Sequence, residues 1–237
     1  MKKESVAIVL AAGRGSRMQS HIPKQYMQLG EKPLLYYALK AFQDSFVDRI
    51  VLVTAKGDID YCQKDIVKKY GLHKVNTIIS GGKERYHSVY QGLQAAGESD
   101  YIFIHDGARP FVTEEILLRA YADAQQYGAC VVGMPAKDTI RIADQENFVE
   151  STPKRNQVWV IQTPQVFQSS LIRQAYSLLM AKEAEILEKG IQITDDGMVV
   201  ETFTNQRVRL TEGSYVNIKI TTPEDLKIAE SLRVSLD

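Results

Sequence analysis

The residues richest in chemistry lie near the N-terminus, in Leu10-Ala11-Ala12-Gly13-Arg14-Gly15-Ser16-Arg17-Met18, with Pro23-Lys24-Gln25 following. Gly13 and Gly15 allow a tight turn and can present backbone N–H groups to an anion. Arg14 and Arg17 add planar guanidinium forks, and Lys24 adds a mobile point charge. A triphosphate supplies the matching negative charge. Such cations suit a phosphorus centre whose equatorial oxygens gain charge during transfer. Two other phosphate loops do not fit. A Walker A loop needs GxxxxGK[ST], and a dinucleotide fingerprint needs a third glycine where Met18 stands. The ribose-binding acid of that fingerprint is also missing, because the second strand ends Val53-Thr54-Ala55. A dehydrogenase is therefore disfavoured.

Further candidates follow along the chain. Gly81-Gly82-Lys83-Glu84-Arg85 carries a double glycine that permits close backbone approach to a flat base. It reads otherwise as a simple turn with Arg85 in solvent, and Lys83 receives no role. His105-Asp106 closes an apolar run. A carboxylate beside a triphosphate is repulsive unless Mg²⁺ or a ribose hydroxyl intervenes. Arg109 is either a pocket residue or a structural ion-pair partner of Asp106. His105 reads as a packed strand residue rather than a base. Thr163 and Thr194 are small donors in loops before or at helix starts. Thr194-Asp195-Asp196 reads equally as a helix N-cap.

The elements that must position these residues alternate. Ser5–Ala11, Arg49–Ala55, Val75–Ser80, Tyr101–His105 and Ala129–Met134 are apolar runs typical of buried strands. Between them Pro33–Phe42, Ile59–Tyr70, Arg85–Ala96 and Glu114–Tyr127 show apolar residues at helical spacing. The expected fold is α/β, a Rossmann-like domain with a mostly parallel sheet covered on both faces. The first loop then leaves the C-terminal edge of the sheet, where ligands bind in such folds. From Lys137 the rhythm breaks. Thr139–Ala143 and Phe148–Ser151 flank the turn-rich Asp144-Gln145-Glu146-Asn147 and predict a protruding β-hairpin arm at about 137–157. Val158–Gln162, a helix from Ser169 to Lys189, Asp195–Glu201, a strand at Arg207–Leu210 and a helix from Pro223 complete one domain over residues 1–237.

Composition narrows the function classes. The 237 residues carry 29 Lys plus Arg and 29 Asp plus Glu, so no general attraction to nucleic acid or an anionic membrane is expected. Cys62 and Cys130 lie far apart without zinc-ligand spacing and read as reduced, buried thiols. The run Val6 to Ala12 is too short to span a membrane. A cytoplasmic protein is expected.

The loop and PKQ together resemble the opening of nucleotidyltransferases that activate sugars and sugar alcohols. His105-Asp106-Gly107-Ala108-Arg109-Pro110, Arg155-Asn156, Gln162-Thr163-Pro164-Gln165, Ile193-Thr194-Asp195-Asp196 and Asn217-Ile218-Lys219 extend the likeness over nearly the whole chain. The ordered set resembles the 2-C-methyl-D-erythritol 4-phosphate cytidylyltransferase family of non-mevalonate isoprenoid synthesis. The resemblance implies that CTP is bound by Ala11, Ala12, Gly13, Gly15, Gly82, Ser88 and Asp106, with cytosine near Gly82 and Ser88. It implies catalytic roles for Arg17, Lys24, Arg155 and Lys219. It places the acceptor near Arg109, Thr139, Arg155, Thr163, Thr194 and Lys219, with Arg155 and Lys219 on its phosphate. It also implies Mg²⁺ held mainly by phosphates, with no protein ligand assigned. A homodimer is implied, in which the arm brings Thr139 and Arg155 to the neighbouring subunit. The chain departs from the family text at Asp196-Gly197-Met198. A ribitol-5-phosphate cytidylyltransferase would share several of these segments, although Gly107-Ala108, Ile193–Asp196 and Gly213-Ser214-Tyr215 lean toward methylerythritol phosphate. A non-catalytic nucleotide-binding domain remains the rival from another class. Retention of both Arg17 and Lys24 argues against it.

Overall fold

The computed structural model describes residues 3–13, 18 and 22–233. Arg14, Gly15 and Arg17 lie outside the described residues. Strand β1 (Ser5–Ala11) shows why the apolar runs are continuous. Its Ala7 and Val9 enter one core and its Val6 and Ile8 another, so both faces are covered. Short strands β2 (Gln28–Leu29) and β3 (Lys32–Pro33) pair antiparallel and lead into helix α1 (Leu34–Asp44). Strand β4 (Arg49–Thr54) follows. Helix α2 (Ile59–Tyr61) then runs into a π-helical segment, Cys62–Lys68, where a plain α-helix was expected. Strand β5 (Val75–Ser80), helix α3 (Arg85–Ala95), strand β6 (Tyr101–Asp106), helix α4 (Glu114–Tyr127) and strand β7 (Ala129–Pro135) continue the alternation.

Strands β8 (Ile142–Ala143) and β9 (Val149–Ser151) form a separate antiparallel pair, shorter than the expected hairpin strands. Asn147 takes the left-handed conformation at its turn (φ 67°), one that asparagine tolerates better than most residues. The Asp144 carboxylate accepts the Glu146 and Phe148 N–H groups there, each at 2.9 Å. Strand β10 (Trp159–Gln168) is followed by helix α5 (Ser169–Ala181) and helix α6 (Glu183–Glu188), so the expected single helix breaks at Lys182. Helix α7 (Asp196–Phe203), strand β11 (Arg209–Glu212) and helix α8 (Pro223–Leu232) complete the chain. Thr222 caps α8 in a capping box with Asp225, and Pro223 opens its first turn.

The main sheet has the order β11-β7-β10-β6-β1-β4-β5. Pairs β1–β4, β1–β6, β4–β5 and β7–β11 are parallel, as the alternation predicted. Strand β10 runs antiparallel between β6 and β7. It also continues well past Gln162, where the sequence suggested an end. Thr163-Pro164 reads as a stop because proline cannot donate to a ladder. Here it sits where the pairing to β7 shifts between Ile161 and Gln165, so the missing N–H is tolerated. Thr163 is thus a strand residue and not a loop residue.

Helices α1 and α4 and the π-helical segment cover one face of the sheet, through Leu35, Leu39, Phe42, Ile116 and Ile66. Helices α3, α5 and α7 cover the other, through Val89, Leu93, Ile172, Tyr176 and Val199. A third cluster, including Leu29, Leu34, Phe111, Ile220 and Ala229, packs α8 beside the β2–β3 pair.

Candidate active site

The C-terminal ends of β1, β5 and β6 meet at one cleft of about 230 Å³. Its wall includes Ala11, Ala12 and Gly13 after β1, and Gly82, Glu84 and Ser88 after β5. Asp106 ends β6, while Lys24 comes from a short 3-10 turn (Lys24–Tyr26) soon after β1 and Lys219 from a distant loop. Glycine is needed where these loops touch. A Cβ on Gly81 would stand 2.5 Å from Ala12 Cβ, and one on Gly82 would stand 2.3 Å from His87 Cβ. The Ser88 hydroxyl accepts the Gly82 N–H at 3.1 Å and so holds the turn against α3. Gln25, beside Lys24, is buried and donates to the Ala11 carbonyl at 2.7 Å, which ties the two halves of the N-terminal segment together.

Asp106 is the charge centre of the cleft. Lys219 Nζ lies 2.7 Å from its Oδ2, and Arg85 Nε lies 3.5 Å from its Oδ1. Burial alone would raise its pKa, but the charges of Arg85 and Lys219 overcome that and hold it well below the usual carboxylate range. Arg85 is not in solvent as a simple turn would leave it. Its fork donates to both oxygens of Asp196, at 2.9 and 2.7 Å, and its side chain is only 30% exposed.

His105 points away from the cleft and is fully buried. Its Nε2 donates to the Arg109 carbonyl at 3.0 Å. Its Nδ1 then accepts from the Thr163 hydroxyl at 3.0 Å, whose oxygen accepts the Asp106 N–H at 3.1 Å. Both ring nitrogens are satisfied by a neutral ring, and burial drives its pKa down to about 4. Thr163 therefore braces the Asp106 turn from β10.

Arg109 donates to the carbonyls of Asn217 at 2.7 Å and Ile161 at 3.4 Å. No direct ion pair joins it to Asp106 among the described residues. With Lys219, Gln162, Lys137 and Tyr215 it lines a second cleft of about 400 Å³. Lys219 is common to both clefts, so the two openings meet at that ammonium group.

The remaining candidates lie elsewhere. Arg155 and Thr139 are exposed at the base of the β8–β9 pair and line neither cleft of their own chain. Arg155 reaches only the Lys137 carbonyl, at 3.4 Å. Thr194 is exposed and bonds Met198 Sδ at 3.4 Å, while Asp195 is the residue that caps α7 by accepting the Met198 N–H. The Asp196-Gly197-Met198 text also has a physical reason. A Cβ on Gly197 would meet Val131 at 2.8 Å, so glycine lets α7 press against β7. Sequence reasoning missed Arg85, Gln165 and Asp196 as one network. Gln165 Oε1 accepts the Asp196 and Gly197 N–H groups, each at 2.9 Å, and its Nε2 donates to Asp195. One local signal was available: an arginine at the start of α3 opposes the helix dipole and so needs a partner.

Comparisons with known proteins bear on the family and the fold. The family model for 2-C-methyl-D-erythritol 4-phosphate cytidylyltransferase (IspD) matches residues 5–234. The relative of that name from Lachnospira eligens is 49% identical over 95% of this chain and 97% of its own. The one from Lachnoclostridium phytofermentans is 46% identical over 95% and 94%. Among solved structures, 4-diphosphocytidyl-2C-methyl-D-erythritol synthase from Anaerococcus prevotii superposes with a TM-score of 0.83 at 34% identity, covering 97% of this chain and 96% of that one. The Thermus thermophilus cytidylyltransferase gives 0.75 at 30% identity, with 98% of each chain covered. On these matches and on its fold, the chain belongs to the 2-C-methyl-D-erythritol 4-phosphate cytidylyltransferase family.

Proposed function

We propose that this protein transfers CMP from CTP to 2-C-methyl-D-erythritol 4-phosphate, releasing pyrophosphate and forming the CDP-alcohol used in non-mevalonate isoprenoid synthesis. The observation that carries this reading is the cleft where Ala11–Gly13 after β1, the Gly82–Ser88 turn, Asp106 and Lys219 converge. The acceptor phosphate attacks the α-phosphorus of CTP in line. That phosphate carries ~1.5–2 negative charges at neutral pH, so no general base is required. Catalysis is then positioning plus stabilisation of charge.

Lys24 and Arg17 act on the α-phosphate and the leaving pyrophosphate. The backbone of Ala11, Ala12 and Gly13 faces the nucleotide phosphates, Gly15 is assigned to the same ligand from the sequence alone, and the base lies by Gly82 and Ser88. Lys219 holds the acceptor phosphate. Its ammonium has three donors, so the bond to Asp106 leaves others for a ligand. Arg109 shapes the acceptor side from the second cleft, Thr163 acts on it through the Asp106 turn that it braces, and Thr194 is assigned to the acceptor from the sequence resemblance alone. Among the described residues no three His, Cys, Asp or Glu side chains gather to cage a metal. Asp106 and Glu84 are the carboxylates of the cleft. That donor set fits a Mg²⁺ carried mainly by phosphate oxygens, which when bound neutralises phosphate charge.

The reading includes a homodimer in which Arg155 and Thr139 serve the neighbouring subunit's acceptor site. Ile142, Phe148, Val149 and Val160 support it, being large apolar side chains at 48–68% exposure around the β8–β9 pair. No helix among the described residues is long and apolar enough to cross a membrane. Two free, buried cysteines accord with a cytoplasmic setting. The test is pyrophosphate release from CTP with 2-C-methyl-D-erythritol 4-phosphate and, separately, ribitol 5-phosphate. Release with the first and not the second is expected. The reverse pattern, or CTP binding without product from either, would overturn the reading.

A further inference from the structure

Asp196 is completely buried, yet it serves the edge of the nucleotide cleft through one intermediary. Its carboxylate takes the Arg85 fork on both oxygens and the Tyr176 hydroxyl at 2.5 Å. Its own N–H is anchored on Gln165. Arg85 is thereby left with only its Nε edge toward Asp106, at 3.5 Å, while Lys219 keeps the closer contact of 2.7 Å.

This arrangement runs against two local preferences. A cation opens α3, where the helix dipole disfavours it. An ion pair with its carboxylate fully buried and its arginine mostly so also adds little to stability over an apolar substitute. Departures of this kind concentrate at functional sites. The alternative available to Arg85 is plain from the geometry. Its fork matches a carboxylate bidentately, and Asp106 is the nearest other carboxylate. A fork swung onto Asp106 would displace Lys219 and move a guanidinium across the cleft wall.

We propose that Asp196 is a positioning residue that holds the Arg85 fork away from Asp106, keeping the nucleotide cleft open and Lys219 in place. The inference rests on the cytidylyltransferase reading, because it assigns the cleft to CTP. Asp196→Asn keeps the shape and removes the charge. It should raise the KM for CTP about tenfold and, because Lys219 is displaced, the KM for the acceptor as well, with turnover at saturating levels of both substrates changed less than threefold. Adding Arg85→Gln removes the fork that would collapse, and should return the CTP KM to within about threefold of the unsubstituted enzyme. Tyr176→Phe, which loosens Asp196 without touching any charge, should raise it two- to threefold and covers the case in which Asp196→Asn does not fold.

Three results would overturn the proposal: a lower melting temperature for Asp196→Asn with an unchanged CTP KM, a double variant no better than the single one, or an unaltered CTP KM in Tyr176→Phe. Calorimetric titration with CTP alone should show the same ordering of Kd. If the unsubstituted protein binds CTP but releases no pyrophosphate, the functional reading fails while the Kd series still decides the role of Asp196. If it binds no CTP at all, both fall.

Discussion

Acid should loosen this protein through His105 before it protonates most carboxylates. The ring is fully buried and a neutral imidazole satisfies both its nitrogens: Nε2 donates to the Arg109 carbonyl and Nδ1 accepts from Thr163. Burial takes its pKa down to about 4 in the folded chain, against about 6.5 when unfolded. A lowered folded pKa means that the unfolded state binds the extra proton first. The stabilisation is therefore complete above about pH 6.5 and is lost as pH falls toward 4. Integrating that difference gives a loss on the order of 1 kcal/mol at pH 5.5 and roughly 2–3 kcal/mol at pH 4.5, relative to pH 7.5. The assay is urea unfolding at these pH values for the parent and for His105→Gln, which retains a donor and an acceptor but does not titrate. The variant pays a constant cost, while ordinary carboxylates contribute equally to both curves. The difference between the two curves should shrink toward acid by the amounts above. Parallel curves, within about 0.5 kcal/mol from pH 7.5 to 4.5, would refute the reasoning. The consequence for function is direct, since the strand end and turn held by His105 carry Asp106 and Arg109.

Other expectations follow from the same geometry. Lys24→Ala should lower turnover by about 10²–10³ with an unchanged melting temperature; near-normal turnover would remove Lys24 from the phosphate site. Arg155→Ala should mainly raise the KM for the acceptor, and mixing it with a Lys219→Ala chain should restore partial activity if subunits share sites. An unaltered acceptor KM would contradict that sharing. Gly82→Ala sets a Cβ 2.3 Å from His87 Cβ, so the turn must move. The KM for CTP should rise, with a stability cost of about 1–3 kcal/mol from overpacking, measured by steady-state kinetics and thermal melts.

Much of the layout was legible because it depends on local pattern. Continuous apolar runs of strand length favour strands covered on both faces, and β1 divides its side chains between two cores as expected, although β5 at the sheet edge is only partly buried. The glycines after β1 and β5 announced close backbone approach, and Gly81 against Ala12 shows where it occurs. What could not be read depends on direction and distance. Nothing in the alternation of Trp159–Gln168 states that β10 runs against its neighbours, and Thr163-Pro164 conceals its length. Helix α6 turns at Lys182 and carries Glu183 to the Tyr86 hydroxyl at 2.7 Å, a contact without local signature.

Residue types alone thus determined that a glycine-rich, basic segment follows the first strand of a mostly parallel sheet, because backbone freedom and charge are local properties of the chain. Only the tertiary structure decided what surrounds Asp106. Arg85 and Asp196 are separated by 111 positions, and Lys219 comes from a loop near the other end of the chain. Ion pairs of that separation follow from how the sheet order brings strand ends together, and no periodicity encodes them.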